Sequence, residues 1–379
     1  MKVAVTTLAF CVTTLLALGL VMLYSAKMAS AGGTRVLMMQ AAWCCIGLAV
    51  CAVMTVLDYK WLKKFAWPIF ICAIILAALV FVPHLGVKRL GARRWVQLHG
   101  LGFQPSEFVK VALIIMLGWY CDRNQRKIDT FKHGVIFPSI IIMAGLGLVF
   151  VEPDRGTTIL MCVVSGMMLL VAGVRLQHLL IPSAAAAAAL TVSILHDPMR
   201  MNRIAAWLHP QDHLQGAAHQ AQQGMIALGS GGVTGTGLGN GLQKMGYVPM
   251  IDSDFIFANI GEELGLIATL VVVASFLLIA VCGIYIAINA RDQFGAQLAT
   301  GIAFMISLQA FINIGVVTSV LPSKGIALPF ISAGGSNMLA MLTCIGILFS
   351  IARHAPVREK VSKPTAAEYG DNPFAARAT

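Results

Sequence analysis

The stretch from Gly246 to Gly265, G-Y-V-P-M-I-D-S-D-F-I-F-A-N-I-G-E-E-L-G, sets four carboxylates, Asp252, Asp254, Glu262 and Glu263, where a polar segment runs into a strongly apolar one. A carboxylate at a membrane boundary is costly to hold unless it is paired or has chemistry to perform. The chemistry open to it is proton transfer. A carboxyl whose pKa is tuned by partial burial and nearby charges can act as a general base. Asp254 is the first candidate for that role, while Glu262 and Glu263 read as stabilisers of a helix start through its dipole.

Three other groups of ionisable residues interrupt apolar sequence. V-K-R-L-G-A-R-R-W places Lys88, Arg89, Arg93 and Arg94 in one short loop beside Trp95. Such a cluster fits an anionic ligand, a phosphate or pyrophosphate gripped bidentately by Arg, or else phospholipid headgroups. Q-P-S-E-F-V-K opens a helix at Pro105 and puts Glu107 and Lys110 at i, i+3 on one face, able to pair. A charged pair just inside a span marks a functional site or fixes helix packing. V-E-P-D-R-G-T-T holds Glu152, Asp154 and Arg155 in a very short turn, where Asp154 can cap the helix starting near Gly156. Alternatively Asp154 orients Lys110 or, with Glu107, helps to hold a divalent cation such as Mg or Mn. The glycine-dense run from Ala227 to Gly241 reads as a flexible loop, or as a place where backbone can approach a ligand closely.

The elements that must position these residues are membrane helices. Apolar residues make up 58% of the 379-residue chain and charged ones only 11%, which excludes an ordinary soluble domain. At about 20 apolar residues per span, the runs near 5–24, 36–56, 65–82, 105–120, 134–151, 157–173, 176–195, 262–289, 296–320 and 327–352 predict an all-α polytopic protein with ten spans. The first run is longer than the apolar core of a secretory signal, and reads as a span.

Alternate loops carry Lys2; Lys60, Lys63 and Lys64; Arg123, Arg126, Lys127 and Lys132; Arg175; Arg291; and Arg353, Arg358, Lys360 and Lys363. The positive-inside bias makes that set cytoplasmic, with both termini. The 88–94 cluster, the 151–158 turn and a large loop at about 196–261, between the seventh and eighth spans, then face outward together. The net charge of +11 is a signature of topology and anionic lipid rather than of nucleic-acid binding. Residues 1–354 form one membrane domain, and the polar tail 355–379 is expected to be mobile. The nine cysteines lie in or at the end of apolar runs without metal-ligand spacing, and read as small core residues.

From roughly Gly19 to Ile351 the chain resembles the SEDS family of peptidoglycan glycosyltransferases. The resemblance is carried by R-R-W at 93–95, Q-P-S-E-F-V-K at 104–110, E-P-D-R-G-T at 152–157 and G-S-G-G-V-T-G-T-G-L-G-N-G-L-Q-K at 229–244. D-F-I-F-A-N-I-G-E-E-L-G at 254–265 and the segment from I-N-I-G-V-V-T to P-S-K-G-I-A-L-P-F-I-S-A-G-G-S-N at 312–337 complete it. G-L-G-N-G-L-Q-K followed by Y-V-P, and P-S-K-G, are closer to the division branch than to the elongation branch. Asp252, Ala333 and Asn337 depart from the usual signature, which has histidine, tyrosine and serine there.

The resemblance implies polymerisation of lipid II, the undecaprenyl-pyrophosphate-linked disaccharide pentapeptide, at the outer face of the bacterial cytoplasmic membrane, in division at the septum. It implies Asp254 as general base and a pyrophosphate grip from Arg93 and Arg94 with Lys88 and Arg89 nearby. Lys110, Glu107 and Asp154 would line the cavity. Because pyrophosphate leaves readily once its charge is neutralised, no second carboxylic acid is required. A class B penicillin-binding transpeptidase and other divisome membrane proteins are the implied partners. Two rivals stand beside this reading: a lipid II flippase, which should distribute charge on both membrane sides, and a non-catalytic scaffold, which needs no ionisable cavity.

Overall fold

A computed structural model describes residues 1–27, 33–82, 86–89, 92–98, 101–152, 154–213, 219–245 and 252–356. Ten bundle helices take up the ten apolar runs: α1 (Lys2–Lys27), α2 (Gly33–Val56), α4 (Ala66–Ala78), α5 (Pro105–Arg123), α6 (Phe137–Val151), α7 (Arg155–Val171), α8 (Leu176–Leu195), α11 (Ile256–Ile288), α12 (Gln293–Val317) and α13 (Gly335–Arg353). Short helices α3 (Lys60–Lys64), α9 (Pro198–Leu208) and α10 (His219–Ser230) lie between them. Six of the ten, and α6 together with the π-helical turn Lys132–Ile136 that precedes it, are long and apolar enough to cross a membrane outright. The others are α4 and α7, which are short, and α5, which carries Glu107, Lys110, Asp122 and Arg123.

The chain is a polytopic membrane protein whose core is made by helix pairs. The largest contacts are α2 with α13, α11 with α12, α1 with α11 and α4 with α5. Small residues bring them close, as expected where lipid supplies no hydrophobic drive. A Cβ on Gly335 would strike the Trp43 indole, and one on Gly283 would strike Ala303. By contrast α8 buries no residue at all. The nine cysteines are free, most of them buried, with Cys45 and Cys72 exposed.

Three features refine the sequence-based expectation. A small antiparallel meander, β1 (Gly86–Arg89), β2 (Ala92–Leu98) and β3 (Leu101–Phe103), stands between α4 and α5 of the otherwise all-α fold. Lys88 pairs with Arg93 and Arg89 with Ala92 across the first hairpin, and Val96 with Phe103 across the second. Second, α11 begins at Ile256 rather than 262, which shortens the outer loop. Third, that loop contains α9 and α10. Of the tail expected to be mobile, residues from 357 onward lie outside the described ones.

Candidate active site

The turn 252–255 that carries Asp254 is held from below by the loop between α12 and α13. The Asn313 amide donates to the Asp254 carbonyl at 2.8 Å and to the Ile326 carbonyl at 2.7 Å, tying the two segments together. Ser332 Oγ donates to the Ser253 carbonyl at 2.6 Å, and the Ala333 amide to the Asp252 carbonyl at 3.0 Å. These bonds engage the backbone of the turn, and the half-buried Asp254 carboxyl has no side-chain hydrogen bond among the described residues. It rests on Gly325, where a Cβ would come within 2.8 Å of its Oδ2. Burial pushes its pKa up to about 6, with help from Asp252, while Arg203 and Arg94 oppose the rise. Asp252 is itself paired with Lys27 at 3.0 Å.

Asp154 is the N-cap foreseen for α7. Its Oδ1 accepts from the Thr157 amide at 3.2 Å and its Oδ2 from the Thr157 hydroxyl at 3.0 Å. Its remaining capacity goes to the Gln104 amide at 3.4 Å and to Arg94, 3.9 Å away. Asp154 therefore orients Arg94 on β2, not Lys110. Both act electrostatically on Asp254, so sheet, α7 cap and α11 turn converge on one site. The side chains of Lys88, Arg89 and Arg93 lie outside the described residues.

Glu107 and Lys110 do pair, at 2.8 Å, and Lys110 Nζ also donates to Gln309 Oε1 at 2.9 Å. Gln309 in turn donates to the Ala327 carbonyl at 2.9 Å and to Asn337 at 3.3 Å. The Lys110 side chain is only 2% exposed. The pair links α5 to α12 and, through Gln309 and Asn337, to α13.

Glu262 and Glu263 do not serve the helix start, because α11 begins six residues earlier. They anchor the glycine-rich segment instead. Glu262 accepts from the Leu242 and Gln243 amides at 2.7 and 3.2 Å. Glu263 pairs with Lys244 at 2.7 Å and accepts from Ser25 Oγ and from the Gly239 amide. Gly265, at φ +76°, breaks α11 where the Gly235 amide presses against it, a conformation glycine alone takes easily. The segment read as a flexible loop is packed and hydrogen-bonded.

P-S-K-G contributed to the resemblance without a role for Lys324, and Arg203, on α9, had none either. Lys324 sits half-buried next to Gly325, and burial lowers its pKa, as does Arg200, against the opposing pull of Asp154. Glu152, at the end of α6, is 1% exposed with no hydrogen bond to either carboxylate oxygen among the described residues. Burial and Asp154 raise its pKa to about 8, against Arg94.

The residues put forward for a divalent cation do not fit one. Glu107 is occupied by an ammonium and Asp154 by a helix cap and a guanidinium. No set of three acidic, His or Cys side chains converges among the described residues.

Residues 6–356 match the FtsW/RodA/SpoVE profile, described as cell cycle protein. The chain is 38% identical over 339 residues to the probable peptidoglycan glycosyltransferase FtsW of Geobacter sulfurreducens, covering 88% of this chain and 91% of that one. It is 34% identical to stage V sporulation protein E of Bacillus subtilis, covering 82% and 85%. Among solved structures it is similar to a chain reported under the words "Structural coordination of polymerization and crosslinking by a peptidoglycan synthase complex". That match has a TM-score of 0.75 and 25% identity, over 91% of this chain and 96% of that one. The fold is shared as well with the rod shape determining protein RodA of Thermus thermophilus, at a TM-score of 0.68 and 24% identity over 92% and 97%.

Proposed function

The chain belongs to the FtsW/RodA/SpoVE family, and from that premise we propose that it is a peptidoglycan glycosyltransferase whose general base is Asp254. The observation that carries the assignment is the state of that side chain. It is half-buried in a turn fixed by Asn313 and Ser332, its pKa raised to about 6 and thus below neutrality, with Arg94 and Arg203 near it. An efficient base is one that is ionised at working pH yet not far below it.

In the reaction, the Asp254 carboxylate takes the proton of the lipid II sugar hydroxyl as that oxygen bonds to the anomeric carbon of the growing glycan. The bond from that carbon to the undecaprenyl pyrophosphate oxygen breaks, and the electron pair leaves with the diphosphate. Arg94, steadied by Asp154, supplies positive potential toward the departing charge, with Arg93 on the same strand. The Glu107–Lys110–Gln309 chain keeps α5, α12 and α13 in register beneath the site. The enzyme works at the outer face of the cytoplasmic membrane with both termini inside. It acts in division at the septum, beside a class B penicillin-binding transpeptidase and other divisome membrane proteins. The similarity to a chain from a peptidoglycan synthase complex supports that partnership.

The test is glycan-chain formation from purified lipid II by the protein reconstituted with its transpeptidase. Asp254→Asn should insert and fold normally and make no polymer; a variant that polymerises at the wild-type rate removes Asp254 from the mechanism.

A further inference from the structure

The cations around Asp254 differ in what already holds them. Arg94 stands against Asp154 and Arg200 is paired with Asp197 at 3.1 Å. Lys324 and Arg203 have no ion-pair partner among the described residues, although Asp254 feels Arg203 and Lys324 feels Asp154. A half-buried ammonium without an acid is desolvated and uncompensated, an arrangement that favours an anionic ligand.

The segments that carry them are also held in place, with Lys324 half-buried and Arg203 exposed. Lys324 lies in the segment 324–326, which runs between two points of the site. Ile326 packs on Gly156 at the start of α7, where a Cβ would be 3.1 Å away, and Gly325 packs on the Asp254 carboxyl. Asn313 clamps that segment to the Asp254 turn through the Ile326 and Asp254 carbonyls. Arg203 is carried by α9, whose Trp207 indole donates to the Ser319 carbonyl at 2.9 Å, five residues before Lys324. α9 is thereby docked at the root of the loop that carries Lys324.

We propose that Lys324 and Arg203 are the pair that contacts the diphosphate of the lipid-linked donor, with Arg94 contributing field rather than contact. This rests on the glycosyltransferase reading and names the ligand group that the site grips. Arg203 provides the planar, bidentate half of the grip and Lys324 the compact charge. Their position next to the base puts the leaving group within the same turn-and-loop unit that removes the proton.

The experiment uses farnesyl diphosphate, a lipid diphosphate without a sugar, titrated calorimetrically into the detergent-solubilised full-length protein. Lys324→Ala and Arg203→Ala should each weaken binding about tenfold or more, the scale of one lost charge-assisted contact. Lys324→Arg should stay close to wild type, and Arg94→Ala should change affinity less than either. Unchanged binding by Lys324→Ala, or loss confined to Arg94→Ala, overturns the assignment. A parallel arm offers vesicles containing phosphatidylglycerol. If Lys324→Ala loses vesicle affinity but keeps farnesyl diphosphate, the pair serves phospholipid headgroups and the proposal fails. Binding needs no turnover, so a protein that binds farnesyl diphosphate through these residues yet never polymerises lipid II refutes the enzymatic reading and leaves the diphosphate site standing.

Discussion

Lys244 and Glu263 form an ion pair at 2.7 Å with side chains 3% and 0% exposed, so their coupling can be read as that of a buried pair without discount for solvent. Replacing Lys244 by Met removes the ammonium and leaves the Glu263 carboxylate buried in a protein interior. Losing one partner of such a pair costs about 3–5 kcal/mol. Here the low end applies, because Ser25 Oγ still donates to Glu263 and so does the Gly239 amide at 3.0 Å. Lys244→Met should therefore destabilise the protein by about 3 kcal/mol. Lys244→Met combined with Glu263→Gln should recover most of that, since no charge then remains to desolvate. Equilibrium unfolding by SDS in mixed micelles, followed through tryptophan fluorescence, measures both. The functional readout is parallel: the pair fastens the 235–244 segment to α11, the helix that begins directly after the Asp254 turn, so polymerisation should fall in the single variant and return in the double. A single variant costing under about 1 kcal/mol, or a double variant no better than the single, refutes the claim that this pair holds the loop.

Polymerisation rate should rise with pH through about 6 and level off near neutrality, because only the ionised Asp254 accepts a proton; a rate flat between pH 5 and 7 contradicts the assignment. Gly325→Ala puts a Cβ 2.8 Å from Asp254 Oδ2, and should lower turnover at least about tenfold through displacement of the carboxyl while leaving thermal stability near wild type, as scanning fluorimetry would record. Glu152 has a folded pKa raised to about 8, so its contribution to stability is complete at acid pH and is lost as pH rises toward 8. Glu152→Gln, which mimics the neutral form, should lack that decline, so a melting temperature compared across pH 5–9 should favour the variant increasingly toward the alkaline end.

The parts of this fold that were legible in the sequence are those governed by local spacing. Ten apolar runs become ten helices because each is long enough to bury its own backbone polar groups. The i, i+3 spacing of Glu107 and Lys110 becomes a 2.8 Å pair, and Asp154 caps α7 because it stands directly before the helical residues. What could not be read depends on contacts between distant positions. Ser25 meets Glu263 across 238 residues, and no local pattern announces that a carboxylate at the start of an apolar run serves a glycine-rich loop and α1. The sheet was missed because its strands are short and β2 carries two arginines, which hides the alternation by which half-buried strands are found.

The same distinction explains why the site itself was only half visible. Asp254 stood out because a carboxylate beside an apolar run is anomalous on any reading. Lys324 did not, since a lysine between Ser323 and Gly325 in a loop looks like solvated surface until Gly325 is seen against the Asp254 carboxyl and Asn313 is seen bridging the two segments. Its chemistry comes from the loop being clamped on both sides of it, which makes an ordinary surface cation a fixed one. If Asn313→Ala, which frees that clamp without touching any charge, leaves both turnover and farnesyl diphosphate affinity unchanged, then fixation is not what gives Lys324 its role.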